Sequence, residues 1–520
     1  MTGSILQLVA YGIEDIFLTN EPQISYFKVI YKRHTNFSRE EIRQNFSQRP
    51  DFNSQISAVI ARNGDLMEKS HLIITLPEIR RSTDNITQYA WVKSPGFSLI
   101  DTISIEINNR QICRHYGEWM CLWNEMFNPK ATEISFKKMI GDIPELTNYS
   151  YSKGSYKLYI PLQFWFCRTS ANAIPLVSLE FSDIKINLSI KDWTDCLLTA
   201  PSHYIVCSDN LVNFENYEYI EQNVDGIISS GIFIYFDPYK KRLYYSLLTK
   251  NNFLPVPTTA VTVNNQAKYK ILGKSFNSYA IPAMQNSGSI VINPATFKST
   301  SKIKTLSLSD TYLLINYIFI DDDERMRFAQ SKQDYIIEQV YFTQYNEVTG
   351  PTETIKIDID NPCKYIVWIL QQKYLYDAKD YYNYTPTYVH KRSYDTYEEN
   401  IKINDPLYSF DNNLVKDTTI LCNEKERLSY RDSKYFGLNQ VYEKCENDPP
   451  AGTNLYFFTL DPTVVQHMGA YNMSKVEKIE IKMKTNSILS ASNVGLFRCY
   501  AETYNILRIG NGLGALLFER

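Results

Sequence analysis

The sequence is poor in the side chains and motifs from which enzyme sites are usually built. It contains only six His, and these are spread over 520 residues. It has no nucleophile elbow, P-loop or HExxH motif, and no His, Cys and acidic residue are joined by a recognised spacing. We therefore expect a protein that is not an enzyme, with no catalytic, cofactor-binding or metal-binding residues and no cofactor.

A strong net charge is also missing. The chain has 54 Lys and Arg against 57 Asp and Glu, which gives a formal net charge of −3. Proteins that hold a genome by counterion release need an excess of basic residues, so we expect no direct binding of nucleic acid. A local group of basic and aromatic residues resembles single-strand binders, but three basic residues are more typical of a solvated strand end. The group comprises Tyr239, Lys240, Lys241, Arg242, Tyr244 and Tyr245.

The chain also has no recognisable secretory signal and no regular cysteine framework. The apolar segment from Ile5 to Leu18 contains Glu14 and Asp15 and has no basic residues before it. It is too short and too charged to cross a bilayer, so we predict an amphipathic arm that packs on a partner or on its own domain. The nine Cys are scattered, which predicts reduced thiols in a cytosolic compartment.

Aromatic residues are abundant, with 40 Tyr and 26 Phe, and they favour strands. Apolar and polar residues alternate from Ser98 to Ile112 and from Val177 to Trp193. In the second run we expect six residues to supply one sheet face: Leu179, Phe181, Ile184, Ile186, Leu188 and Ile190. Such a face needs a covering layer, which predicts a β-sandwich. A chain of 520 residues should contain two or three domains.

The first 37 residues contain a long ordered pattern. Its members are Leu8, Val9, Ala10, Tyr11, Gly12, Asp15, Leu18, Thr19, Pro22, Phe27, Lys28, Tyr31, Arg33, His34, Thr35, Asn36 and Phe37. This pattern resembles the amino-terminal signature of major capsid proteins of nucleocytoplasmic large DNA viruses. Further segments that resemble the family are Ala61–Leu66, Arg114–Trp119, Tyr159–Phe181, Ile315–Gln344, Asn361–Leu370, Leu455–Pro462 and Tyr504–Gly514.

The resemblance implies an all-β fold of two consecutive eight-stranded jelly-roll sandwiches, a double jelly roll. It also implies a structural major capsid protein whose homotrimers form pseudo-hexameric capsomers and tile the icosahedral shell of a large double-stranded DNA virus. The implied partners are further copies of the chain, neighbouring capsomers, minor capsid proteins and an internal virion membrane beneath the shell. The implied location is the virion, with assembly in the host cytoplasm.

The same resemblance divides the chain into an N-terminal arm (1–24), a first jelly roll (25–320), a linker helix (321–332) and a second jelly roll (333–520). The start of the helix can also be argued from its residues. Asp321 and Glu324 have the spacing of a capping box, and Asp322 and Asp323 would stabilise the first turn through the helix dipole. These carboxylates could alternatively bind Ca²⁺ or Mg²⁺, although they lack the spaced ligands and Gly of an EF-hand. We expect the helix to end near Gln330.

Two segments depart from the family pattern. The stretch from Trp193 to Thr311 is too long for a structureless loop, and it contains strand-like runs at Gly231–Phe236 and Ala267–Phe276. We predict a β-rich insertion at about 196–308, before the last strand of the first jelly roll, at the end that faces outward in capsomers. The Tyr-rich segment Gln371–Asn400 is predicted to be a long surface loop, either an outward or subunit contact or an ordinary solvated loop.

Two further motifs have structural explanations that we prefer. Cys113, His115 and Cys121 could be zinc ligands, but the first two lie two residues apart on a predicted strand and no fourth ligand is nearby. The run Gly510–Gly514 resembles a dinucleotide loop, yet no helix or βαβ unit follows it, so we predict a tight turn.

Seven Asn-x-Ser/Thr sequons occur, at Asn36, Asn45, Asn85, Asn148, Asn187, Asn383 and Asn472. Without a secretory signal we treat most of them as chance. Asn383, in the Tyr-rich segment, is the candidate for glycosylation if the virus supplies its own enzymes.

Two other functions stay open. One is a minor or accessory capsid protein of the same double jelly-roll fold, which the long insertion favours. The other is a carbohydrate-binding β-sandwich, which would need a ligand cluster on one sheet face.

Overall fold

The computed structural model of the chain describes most, but not all, of its residues. These are 12, 19–29, 31–80, 88–208, 214, 219–237, 241–247, 249, 251–257, 268–273, 279–283, 290–291, 306–377, 379–385, 413–486, 489–491 and 494–518. Most of the predicted arm at 1–24 therefore lies outside the described residues. The same holds for Asn85, Tyr239, Lys240 and residues 386–400.

Strands make up most of the regular structure in the described ranges. The first group is β1 (Phe37–Asn45), β2 (Gln55–Val59), β3 (Leu66–Leu76), β4 (Tyr89–Trp91), β5 (Ile100–Ile107), β6 (Arg110–Tyr116), β7 (Tyr156–Pro161), β8 (Ile174–Pro175) and β9 (Ile184–Ile190). Next come β10 (Leu197–Thr199), β11 (His203–Val206), β12 (Tyr219–Val224), β13 (Ile227–Asp237), β14 (Arg242–Leu247), β15 (Ile271–Gly273), β16 (Tyr279–Ala280) and β17 (Ile290–Val291). The last group is β18 (Thr311–Ile320), β19 (Gln333–Val348), β20 (Thr352–Ile357), β21 (Pro362–Gln372), β22 (Val415–Cys422), β23 (Lys425–Asp432), β24 (Thr453–Phe457), β25 (Tyr471–Asn472), β26 (Ile479–Thr485), β27 (Gly495–Gly510) and β28 (Leu513–Leu516).

Helices are short and lie between the strands. The α-helices are α1 (Pro95–Ser98), α2 (Gly117–Phe127), α3 (Glu133–Ile140), α4 (Pro144–Thr147), α5 (Trp165–Arg168), α6 (Trp193–Cys196), α7 (Asp322–Gln330), α8 (Lys373–Asp377) and α9 (Gln440–Lys444). A π-helical turn at Tyr435–Asn439 runs directly into α9. Single 3₁₀ turns lie at Lys130–Thr132, Ser170–Asn172, Leu176–Ser178 and Met473–Lys475.

Two four-stranded sheet paths form the first sandwich. One has the order β1-β18-β3-β7, with β8 added to β3, and the other has the order β2-β9-β5-β6. Strand β9 buries Ile184, Ile186, Leu188 and Ile190 in the core, as the alternating pattern predicts. The prediction is wrong for Phe181, which is 70% exposed. It lies outside the strand, in a turn that follows the 3₁₀ turn Leu176–Ser178, so its side chain does not share the strand's alternation.

The second sandwich repeats the first. Its sheets have the orders β19-β27-β21-β24 and β20-β26-β22-β23, with β25 and β28 added at the margins. The two main sheets therefore contain eight strands, as in the first sandwich, and the strands occupy corresponding places along the chain. The prediction of two consecutive eight-stranded jelly rolls is confirmed.

A separate sheet fills the long stretch between β9 and β18. It has seven strands in the order β16-β15-β12-β13-β14-β11-β17 and its own apolar core, which includes Ile205, Phe233, Leu243 and Phe253. The predicted β-rich insertion in the first jelly roll is confirmed. Of the two strand-like runs, Gly231–Phe236 lies within β13, whereas only Ile271–Gly273 of the second is a strand in the described residues.

Helix α7 connects the two sandwiches. Asp321 precedes it, and its carboxylate accepts a hydrogen bond of 2.9 Å from the backbone N–H of Asp322. The expected capping box is therefore only partly correct, because Asp321 caps the helix through the adjacent N–H and not through that of Glu324. Arg325 donates to Asp65, just before β3, at 2.8 Å, which ties the helix to the first sandwich.

Candidate functional site, the contact between the two sandwiches

A cluster of four buried charges joins the two sandwiches. Arg168, at the end of α5 in the first sandwich, forms ion pairs with Glu338 on β19 and Glu502 on β27. Lys364 on β21 also pairs with Glu338, and its Nζ lies 3.7 Å from Glu502. Each of these side chains is at most 13% exposed. Two positive and two negative charges are thus removed from water together, which is tolerable only when they are paired.

Local structure explains how these side chains reach one another. The pairing of β21 with β27 shifts between Cys363 and Tyr365, so Lys364 lies at an irregularity of the strand. A bulge re-aims a side chain that regular pairing would direct elsewhere. The Arg168 guanidinium lies 4.7 Å from the centre of the Trp123 ring, which holds it in place from the side of the first sandwich.

The charged residues of the cluster shift the pKa values of their neighbours. Burial alone would raise the pKa of Glu502, but Arg168 and Lys364 more than offset it, so the pKa lies below its usual value. Burial likewise opposes the charged form of Arg168, yet Glu338 and Glu502 raise its pKa. Burial and the nearby Glu502 charge raise the pKa of Tyr365 well above its usual value. Glu502 and Arg168 are therefore held in their charged forms beside the neutral phenol of Tyr365.

A second polar cluster lies next to the first. Glu118, in the first turn of α2, accepts from Arg498 Nη2 of β27 at 2.8 Å and from the Tyr500 hydroxyl at 2.6 Å. The Tyr384 hydroxyl donates to the same carboxylate at 3.1 Å. Arg498 also donates to the side-chain carbonyl of Gln371 at 2.5 Å. Burial would lower the pKa of Arg498, but the Glu118 charge raises it. One carboxylate of the first sandwich therefore binds three side chains of the second.

Aromatic rings surround these polar groups. Tyr116 of β6 packs against Phe342, with ring centres 4.5 Å apart. Phe127 of α2 lies 5.8 Å from Tyr365 and 6.5 Å from Phe457. These contacts join the interior of the first sandwich to residues of the second in one apolar cluster. The contact excludes water around its charges, which strengthens their interaction.

The beginning of the Tyr-rich segment belongs to this contact. Residues 379–385 lie against the first sandwich, where the Ser98 hydroxyl donates to the Tyr382 hydroxyl at 3.1 Å and Tyr381 donates to the Asp195 carbonyl at 2.9 Å. Lys379 donates to the Leu197 carbonyl at 3.0 Å. The prediction of a surface loop is wrong for these residues, because their polar groups find partners on the first sandwich.

Asn383 is the second correction in this segment. It is buried, and its side-chain N–H donates to the Asp380 carboxylate at 3.0 Å. The predicted exposure of Asn383 is therefore wrong, and a glycan attached to this amide would have no room. Among the other described sequons, Asn36, Asn45, Asn148 and Asn472 are exposed and Asn187 is half-buried.

The zinc candidates form a core pair and a separate thiol. Cys113 Sγ and His115 Nε2 lie 3.2 Å apart, and the His115 ring packs against Trp119 and Phe164 at 4.4 and 4.6 Å. Burial lowers the pKa of His115 to about 3 and raises that of Cys113 to about 12. Cys121 lies on α2. Within the described ranges, no three His, Cys, Asp or Glu side chains are grouped in a way that could hold a metal ion, and this includes Asp321 to Glu324.

The basic and aromatic group around Arg242 is largely packed into the fold. The Arg242 guanidinium stacks over Tyr204 at 4.5 Å, and Tyr244 and Tyr245 are buried. The described part of the basic and aromatic group is therefore not an exposed binding patch.

The predicted turn near the end of the chain is confirmed, since Asn511 and Gly512 have φ values of 56° and 79° and connect β27 to β28. This matches a type I′ hairpin turn.

Sequence reasoning missed the charged contact, although a signal was present. Lys364 interrupts the apolar run of β21, and Glu502 interrupts that of β27. A charged residue within a buried stretch of strand is uncommon and indicates a paired charge. The partners could not be found, because Arg168 is separated from Glu502 by 334 positions.

Two jelly rolls with the same strand order, joined by a helix and a buried charged contact, define a double jelly-roll protein. Solved structures with this chain's fold include the PBCV-1 virus capsid, with a TM-score of 0.63 and 19% identity over 95% of this chain and 100% of that chain. The Faustovirus major capsid protein gives the same TM-score at 13% identity, over 96% of this chain and 94% of its own.

Sequence comparison defines the family. Residues 25–228 match the model of the major capsid protein N-terminus, and residues 324–515 match that of the large eukaryotic DNA virus major capsid protein. "Probable capsid protein 4" of Acanthamoeba polyphaga mimivirus is 34% identical over all of this chain and 99% of the relative. The major capsid protein of Phaeocystis pouchetii virus is 28% identical over the full length of both. The chain thus belongs to the major capsid protein family of large eukaryotic DNA viruses, a family of structural proteins of the virion shell.

Proposed function

We propose that the chain forms homotrimeric capsomers of pseudo-hexagonal outline that tile the icosahedral shell of a large double-stranded DNA virus. The observation that carries this proposal is the repetition of one sandwich twice in a chain, with a buried contact that fixes their relative orientation. Three such chains around one axis present six similar sandwiches. Closed cyclic symmetry completes the capsomer, and weaker contacts between capsomers build the lattice.

The proposed division of the chain follows from this role. An arm at 1–24 precedes a first jelly roll at 25–320, a linker helix spans 321–332, and a second jelly roll occupies 333–520. The insertion, at about 196–308, leaves the first jelly roll between β9 and β18. In a jelly roll this connection lies at one end of the sandwich, and we assign that end to the outer surface of the particle. The insertion would then form the exposed cap of the capsomer.

The proposed partners are further copies of the chain, neighbouring capsomers, minor capsid proteins and an internal membrane beneath the shell. We assign assembly to the host cytoplasm, a location supported by nine free Cys, most of them buried. Within the described ranges no helix is both long and apolar enough to span a bilayer. A net charge of −3 favours a shell protein that does not bind the genome directly. Membership of a family of structural capsid proteins supports a role that is not enzymatic.

A second candidate function is an accessory capsid protein of the same fold. It is favoured by the mimivirus relative, whose name is that of a numbered capsid protein and not of the major one. Quantitative mass spectrometry of purified virions separates the two. We expect this chain to be the most abundant protein of the shell. A few copies per particle would contradict the major role and favour the accessory one.

A further inference from the structure

The chain enters its first sandwich through an exposed apolar segment. Every described residue from 19 to 36 is exposed, so the side chains before β1 do not pack on the rest of the chain. The exposed fraction reaches 92% for Tyr26 and 100% for Phe27. We name residues 24–29 and 31–37 the leading segment. Its large apolar side chains that are at least half exposed are Ile24, Tyr26, Phe27, Val29, Tyr31 and Phe37.

The hydrogen bonds of the leading segment before β1 are local. The Phe27 N–H donates to the Ser25 hydroxyl at 3.2 Å, and the His34 ring nitrogen lies 2.7 Å from the Thr35 carbonyl oxygen. An arm ahead of a sandwich can pack on its own domain or on a partner, and this exposure favours a partner. Large apolar side chains gathered on one exposed stretch mark an interaction surface.

The charge of the leading segment differs from that of the whole chain. It carries Lys28, Lys32 and Arg33 and no acidic residue, whereas the chain has a net charge of −3. Aromatic rings interleaved with basic residues suit the surface of an anionic bilayer. The rings enter the boundary between headgroups and acyl chains, and Lys and Arg are attracted to anionic lipids. Residues 24–29 and 31–36 form no helix or strand, so their backbone groups need water or headgroups and would not cross the bilayer.

The leading segment and the insertion join opposite ends of one sheet. Phe37, at the start of β1, lies opposite Ile320, where β18 ends and α7 follows. Asn45, at the end of β1, lies opposite Tyr312, close to where the chain returns from the insertion. The two ends are separated by the length of β18, which is about 30 Å. With the insertion on the outer surface, as proposed above, the leading segment lies at the inner end of the sandwich.

Acidic residues at the same end restrict the contact to the leading segment. Asp321, Asp322 and Asp323 are exposed at the start of α7, beside the point where β1 begins. Arg325 pairs with Asp322 at 2.9 Å and with Asp65 at 2.8 Å, so it neutralises only part of this charge. An anionic surface repels the remaining carboxylates. The body of the sandwich therefore stays away from such a surface while the leading segment reaches it.

We propose that the leading segment binds the surface of an anionic lipid bilayer, with its aromatic rings at the headgroup boundary and its basic residues against lipid phosphates. The inference rests on the proposed function, which includes a membrane beneath the shell, and it names the part of the chain that contacts this membrane. One such contact is weak and reversible. A shell presents many copies of the segment to the same membrane, so the contacts reinforce one another through avidity.

Flotation of the purified full chain with lipid vesicles tests the proposal. The wild type should float with phosphatidylcholine vesicles that contain phosphatidylserine and should stay in solution with phosphatidylcholine alone. The triple variant Lys28→Glu, Lys32→Glu and Arg33→Glu should bind roughly 100-fold more weakly or worse, because each basic residue near an anionic surface contributes a factor of about five. The double variant Phe27→Ser and Tyr31→Ser should bind roughly tenfold more weakly or worse, because it removes the rings that leave water.

Matched double variants separate the leading segment from the rest of the surface. Phe27→Ser with Lys28→Glu changes one exposed apolar and one exposed basic residue of the segment, and it should weaken flotation. Ile134→Ser with Lys130→Glu makes the same two changes at exposed positions elsewhere, and it should float like the wild type. Because these side chains are exposed, circular dichroism and the melting temperature should stay unchanged in both.

The outcomes separate this inference from the proposed function. A wild type that does not float with the phosphatidylserine vesicles, or a triple variant that floats equally well, would overturn the membrane contact. Light scattering on the same samples reports the solution mass. A triple variant of lower mass than the wild type would show that the segment packs on a second copy of the chain, which would also overturn the membrane contact. A trimeric wild type that does not float would leave the capsomer in place.

Discussion

The interior of each sandwich and the contact between the two sandwiches are built from different side chains. The second sandwich encloses Trp368, Phe497, Ile366 and other apolar residues that are almost fully buried. The contact instead centres on Arg168, Glu338, Lys364 and Glu502, with a shell of aromatic rings. Apolar burial is non-directional and supplies stability, whereas paired charges require one geometry. We infer that the interiors stabilise the sandwiches and that the charged contact fixes how they are oriented.

The largest loss of stability should follow from the removal of a large side chain from the core of a sandwich. Trp368→Ala removes a fully buried ring that packs at 5.0 Å from Phe436, and it should lower the free energy of unfolding by about 3–5 kcal/mol. Urea denaturation followed by circular dichroism measures the loss. A change below about 1 kcal/mol would show that this interior does not supply the stability that we assign to it.

A substitution that breaks the charged contact should lower the free energy of unfolding somewhat less than Trp368→Ala. Arg168→Met leaves two carboxylates, Glu338 and Glu502, facing Lys364 alone, and it should destabilise the chain by about 3 kcal/mol. The double variant Arg168→Met and Glu502→Gln removes one charge of each sign and should recover part of the loss. A double-mutant cycle with no interaction energy between the two positions would contradict the paired arrangement.

A fall in pH should weaken the charged contact between the sandwiches before it affects their apolar interiors. The pKa of Glu502 is lower in the folded chain than its ordinary value near 4.5, so the unfolded chain binds a proton more readily. The contribution of this residue to stability is therefore complete above that ordinary value and is lost as the pH falls through the lowered pKa. Between about pH 6 and pH 3 the wild type should lose more stability than Glu502→Gln. Parallel pH profiles for the two proteins would refute the assignment.

The smallest effect is expected for an exposed pair on the same strands. Arg508 and Asp334 join β27 to β19 at 2.8 Å, but both side chains are about half exposed. Solvent screens such a pair, so Arg508→Ala should change the free energy of unfolding by less than about 1 kcal/mol. Arg508→Ala and Arg168→Met each remove one arginine from an ion pair, and the two pairs differ mainly in how deeply they are buried. Equal losses in the two variants would remove the distinction between the contact and the surface.

The sequence predicts the sandwiches better than it predicts their contact. Alternating apolar residues such as Ile184, Ile186 and Leu188 identify a strand and its buried face, because a strand has a period of two. The resemblance to a family adds the order of the two jelly rolls. The contact depends on pairs such as Arg168 with Glu502, which only the folded chain brings together. The sequence also predicts an exposed loop for Tyr382 and Asn383, which are buried. Polar and Tyr-rich composition does not distinguish a solvated loop from a loop that is buried against a second domain.

The most direct test of the proposed function is size-exclusion chromatography with light scattering on the purified 60.6 kDa chain, followed by electron microscopy of the main peak. A stable particle of three chains with a hexagonal outline is the predicted result. A compact monomer, or a two-fold dimer without that outline, would contradict the capsomer.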